Sequence, residues 1–126
     1  MECRFNRITY RAWDGLQYDT GFSDLARRCS AVCFGTLAQR SPQSRLAIHQ
    51  FLRDAESAIR LFDVNLRQHY FDQDVILQSC RAASAVKLND EELPVVAKLL
   101  ALNDGASCDS SDEMDECLVT LCERFA

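Results

Sequence analysis

The sequence predicts a mainly α protein, a single-domain helical bundle of about five helices over residues 1–126 with one long central helix. Three observations carry that expectation. Apolar residues recur at three- and four-residue steps through most of the chain, as on helices with one buried face. Only two prolines and four glycines interrupt them. A chain of 126 residues, 48% hydrophobic, can bury a core without a metal or a disulfide framework to staple it.

Two readings stay open for the first twenty residues. Ile8, Tyr10 and Ala12 alternate with polar residues up to Asp14-Gly15, a dipeptide suited to a two-residue turn, so a short N-terminal β-hairpin returning through Leu16-Gln17-Tyr18 is one. A helix broken at Gly15 is the other. From Ser23, a plausible cap, Phe22, Leu25, Cys29, Val32, Cys33 and Leu37 fall at helical spacing, which predicts a helix ending near Arg40. Ser41-Pro42 restarts the chain as N-cap and first helical residue.

The long helix is expected next. Ile48, Leu52, Ala55, Ile59, Phe62, Leu66 and His69 are spaced four, three, four, three, four, three. That seam predicts one helix from about Pro42 to Tyr70, roughly 42 Å long, with Ile59 and Phe62 as core anchors. Pairs Glu56–Arg60 and Asp63–Arg67 would decorate its outer face. Three shorter helices should pack on it. Asp72 or Asp74 caps a segment through Ile76, Cys80, Ala83 and Val86. Asn89 and Glu92 have capping-box spacing before Leu93, Val96, Leu99 and Leu100, with Pro94 marking the regular start. Ser110 and Glu113 repeat the box before Met114, Cys117, Leu118, Leu121, Cys122 and Phe125.

The seven cysteines are odd in number and most lie in apolar stripes, where a thiol acts as a small hydrophobe, so all seven are expected reduced. With no signal-like leader and no apolar run of ~20 residues, the expected location is cytoplasmic, without membrane insertion.

Charge is divided unevenly. Residues 1–60 carry nine arginines against six acids, and residues 61–126 carry five basic side chains against thirteen acids. No basic side chain lies between Lys98 and Arg124, where Asp104, Asp109, Asp112, Glu113, Asp115 and Glu116 crowd together. These six residues are the candidate partner-binding site, facing a basic protein surface. Helix-dipole capping is the alternative reason for Asp112 and Glu113.

No motif supports catalysis or a cofactor. Cys29 and Cys33, one turn apart, read as core thiols rather than metal ligands, and no Cys-x-x-Cys is present. His49 reads as a solvated side chain and His69 as a helix-end residue, neither paired with a nucleophile. The stretch Asp109 to Glu116 lacks the glycine and terminal glutamate of a calcium loop. Phosphate-binding glycine loops are missing. The arginines of the first half could form a basic stripe, but the acidic half would neutralise it, so direct nucleic-acid binding is not expected. The expected function is therefore non-enzymatic: a small acidic inhibitor of a basic partner, of toxin-immunity or phage anti-defence type. A dimeric adaptor or chaperone using the heptad seam comes second, and an enzyme with a motif-free site third.

Overall fold

Three short polar side chains start three helices. Asp19, Ser41 and Asp72 lie in extended backbone and accept a hydrogen bond from the amide three residues on, at Phe22, Ser44 and Val75. The structure, a computed structural model, describes residues 11–102, 108 and 110–125. The helices so capped are α1 (Thr20–Arg28), α2 (Pro42–Asp54) and α3 (Gln73–Ala82), followed by α4 (Glu92–Leu99) and α5 (Ser111–Phe125). Both expected capping boxes form. Asn89 Oδ1 accepts from the Glu92 N–H at 2.9 Å while Glu92 Oε2 accepts from the Asn89 N–H at 3.0 Å, and Ser110 and Glu113 exchange the same pair of bonds. Pro94 sits in the first turn of α4, where its missing N–H costs nothing.

The chain is mainly helical, as expected, but it also contains a parallel sheet that the periodicity concealed. Strands β1 (Ala31–Gly35), β2 (Ile59–Asp63) and β3 (Ala85–Lys87) pair in the order β1-β2-β3. Helices α2 and α3 are thus the crossovers that parallel pairing requires, rather than members of a bundle around a central rod.

The expected helix from Pro42 to Tyr70 ends at Asp54. Ala58 donates to the Ala55 carbonyl in a tight turn, and Ile59 then donates to Ser30, which carries the chain into the sheet. Phe62 and Val64 explain why. Both are wholly buried, and two residues on a helix would point about 200° apart, whereas on an extended chain they share a face. The helix expected over Ser23 to Arg40 divides in the same way, into the end of α1, β1 and a 3-10 turn at Leu37–Arg40. At the N-terminus, Ala12–Gly15 is another 3-10 turn and Leu16 to Tyr18 pair with no strand, so the hairpin does not form among the described residues; Ile8 and Tyr10 lie outside them.

One face of the sheet is packed and the other open. Val32, Phe34, Phe62 and Val86 point into the helices, with the Phe34 and Phe62 rings stacked at 5.3 Å. The alternate residues Ala31, Cys33, Ile59, Ala85 and Lys87 are exposed. Ile59, expected in the core beside Phe62, is 62% exposed, because side chains three apart on a strand point to opposite faces of the sheet. The heptad seam expected for self-association is likewise split, with Leu52, Ala55 and Phe62 buried within the chain. Gly35 closes β1 against β2; a Cβ there would lie 3.0 Å from the Asp63 carbonyl oxygen.

The cysteines differ from expectation too. Cys108 and Cys117, expected reduced, are both buried in the main core and joined as a disulfide. Cys29, Cys33, Cys80 and Cys122 are free thiols.

Candidate functional site at the carboxyl edge of the sheet

Open parallel sheets bind ligands beyond the carboxyl ends of their strands, where the loops leave. In this chain the three loops are tied together there. The last paired row is Gly35, Asp63 and Lys87, and Asp63 Oδ1 lies 3.1 Å from Lys87 Nζ. Val64 extends the ladder by donating to the Lys87 carbonyl at 3.0 Å. Beyond it, Thr36 Oγ1 donates to the Asn65 carbonyl at 3.2 Å, linking the loops after β1 and β2. Glu92 links those after β2 and β3, since its Oε1 accepts from the Leu66 N–H at 3.0 Å while Oε2 is held by Asn89.

The central loop is strained where it is tied. Asn65 and Gln68 adopt left-handed backbone, with φ of 40° and 47°. Such conformations cost about 1–3 kcal/mol for most residues other than glycine, and less for asparagine, which tolerates them. The exposed side chains they present are Asn65, Arg67, Gln68 and His69, beside Lys87 and Asn89 from the next loop.

Next to this edge, α2, α3 and the same loop enclose a cleft of about 790 Å³. Arg45, His49 and Arg53 line it from one stripe of α2, Val75 and Gln78 from α3, and His69, Tyr70 and Arg40 from the loops. Asp14 fixes Arg40 through two bonds of 2.7 and 2.6 Å, and the guanidinium stacks over the Tyr70 ring at 4.7 Å. The same bonds, with the Arg11 amide, hold the Asp14 carboxyl down at about 2. Arg45 pairs with Asp74 at 2.5 Å.

His49 is half-buried, not solvated. Burial, then Arg45 and Arg53, lower its pKa, so its ring is neutral at pH 7. Its tautomer follows from Gln39. That amide donates to the Gly35 carbonyl and to Ser79 Oγ, both at 2.9 Å, which turns Gln39 Oε1 toward His49 Nε2 at 3.1 Å. The Nε2 nitrogen therefore carries the proton, and Nδ1 has the lone pair. Chemically, the cleft combines the His49 imidazole, its pKa lowered by burial and by Arg45 and Arg53, with the guanidinium groups of Arg40, Arg45 and Arg53.

The acidic residues singled out from sequence stand elsewhere. Asp112, Asp115 and Glu116 are exposed on the first turns of α5 and form no ion pair among the described residues, Glu113 completes its capping box, and Asp104 and Asp109 lie outside those residues. None of the four described lines the cleft. Sequence reading took Asn89 and Glu92 only as a helix cap and missed Asn65, Arg67 and Lys87. The available signal was the polar run Asn65 to His69 directly after an apolar segment. Among the described residues no group of three or more His, Cys, Asp or Glu could hold a metal ion, and no helix is long and apolar enough to cross a membrane.

No protein-family model matches the chain, and no curated protein matches it.

Proposed function

We propose that this chain is an α/β ligand-binding unit that takes a phosphate-bearing small molecule at the carboxyl edge of its sheet. The observation that carries the reading is the β2–α3 loop, where Asn65 and Gln68 are kept in left-handed backbone while Glu92 and Thr36 fasten the loop from both sides. Arg67 and Lys87 supply the charge complementary to a phosphate, Asn65 and Asn89 supply neutral hydrogen bonds, and the adjoining cleft has room for the rest of the molecule. Calorimetry with ATP, AMP and glucose 6-phosphate, against adenosine and glucose, tests it. Saturable binding of a phosphorylated member, weakened at least tenfold by Arg67→Gln or Lys87→Gln, is the expected result. Equal affinity for the unphosphorylated compounds, or no binding at all, would overturn it.

The exposed carboxylates of Asp112, Asp115 and Glu116 favour a second reading, a small acidic inhibitor docking on a basic protein. Co-purification supplies the partner. A folded variant carrying Asp112→Asn, Asp115→Asn and Glu116→Gln should then associate more slowly, with a flatter salt dependence. An unchanged rate would leave these residues to helix capping and solubility.

A further inference from the structure

At the opposite end of α2 and α3, three arginines line one cavity and none forms an ion pair among the described residues. Arg53 stands in the last turn of α2, Arg81 in the last turn of α3 and Arg60 near the start of β2, around a cavity of about 340 Å³. The five ion pairs among the described residues use Arg27, Arg40, Arg45 and Lys87 instead. Glu56 lines the same cavity and pairs with none of the three. Helix dipoles account for Arg53 and Arg81, since cations are favoured at helix C-termini. They do not account for Arg60. Its side chain rises from a strand whose backbone is pinned to Ser84 by bonds of 2.7 and 2.8 Å, and its Nε is buried with no acceptor.

A buried charged donor without an acceptor costs more than a made hydrogen bond gains, so native proteins rarely leave one unfilled. The cost is greater here because two like charges share the cavity. Among the described residues Glu56 is the one carboxylate lining the cavity, and it leaves the three guanidinium groups without an ion pair. From this convergence we infer that the Arg53–Arg60–Arg81 cavity is a second ligand site, for a compact tetrahedral oxyanion: phosphate, free or as the terminal group of a small ester. It lies toward the amino edge of the sheet, adjoins the carboxyl-edge cleft through the shared residues His49 and Arg53, and does not depend on the reading given to the loop site at Asn65, Arg67 and Lys87. The guanidinium groups of Arg53 and Arg81 would close on the anion from the two helix ends, with that of Arg60 between them, its Nε–H beneath the cavity reporting occupancy.

The test is an NMR titration of the wild-type chain with inorganic phosphate and, in parallel, glycerol 3-phosphate, following the arginine Nε–H resonances. Arg60 Nε–H should shift saturably with at least one of the two, and whichever binds more tightly identifies the source of the phosphate. Arg81→Gln should weaken that binding at least tenfold, with Arg28→Gln, an exposed arginine on α1, changing it less than twofold. Arg60→Gln should abolish it, and the wild-type Arg60 resonance retains the answer if that variant does not fold. An Arg60 resonance unmoved by either probe while Arg67 responds would place phosphate at the carboxyl edge alone and overturn the inference. Equal binding by wild type and Arg81→Gln would overturn it as well.

Discussion

The Glu92 carboxylate accepts the Leu66 amide at 3.0 Å, so the first turn of α4 fixes the loop that follows β2, 26 residues away in sequence. One side chain thereby serves two elements, because its other oxygen closes the Asn89 cap. Glu92→Ala should cost about 1.5–3 kcal/mol, the usual value for a hydrogen bond to a charged group, and should raise amide exchange at Leu66 and Asn89 together. Urea denaturation and hydrogen exchange measure the two effects. A loss of stability with Leu66 still protected would separate the cap from the loop.

Phe62 and Ile59 should respond in opposite ways to truncation. Phe62 is fully buried on the central strand and stacks on Phe34, so Phe62→Ala should lose about 3–5 kcal/mol. Ile59→Thr, on the open face, should change stability by less than about 0.5 kcal/mol. Chemical denaturation of both variants decides whether the strand, rather than a continuous helix, runs through this segment.

His49 should titrate below the ordinary 6.5, and removing a neighbouring cation by Arg53→Gln should bring it back toward that value. Histidine proton shifts followed by NMR give both numbers. A lowered folded-state value means that the unfolded chain binds more protons, so this residue makes the fold less stable as pH falls below 6.5.

Asp14 produces a separate acid dependence. Its carboxyl is depressed from 3.8 to about 2 by Arg40 and the Arg11 amide, so the stability it confers is complete above about 4 and is lost as pH falls toward 2. Melting temperatures taken across that window should fall more steeply for the wild type than for Asp14→Asn.

The thiols give a chemical test of the core. In the folded protein Cys33 and Cys122 should react readily, whereas burial pushes the Cys80 thiol up to about 11 and should leave it inert until unfolding. Thiol titration in denaturant should then find two more groups after reduction than before, those of Cys108 and Cys117. Equal counts would return both residues to the reduced state expected from their sequence setting.

Helices α2 to α5 begin where their capping residues predict, whereas α1 is capped by Asp19 and not by the expected Ser23. Ser41-Pro42, Asp72, Asn89 with Glu92 and Ser110 with Glu113 act within one turn, so their chemistry is local and their spacing sufficient. The tertiary structure alone decided that Ala31–Gly35 and Ile59–Asp63 are strands. A strand in a parallel sheet reads as a short apolar run, and the run Ile59 to Val64 also fits heptad spacing; only pairing with a segment far off in the chain distinguishes the two, as Phe62 does opposite Phe34. The candidate site was hidden for the same reason. Asn65, Arg67 and Lys87 carry no motif, and they become a site because parallel pairing ends three loops at one edge. Arg53, Arg60 and Arg81 look like scattered surface charges until two crossover helices and a strand set them around one cavity.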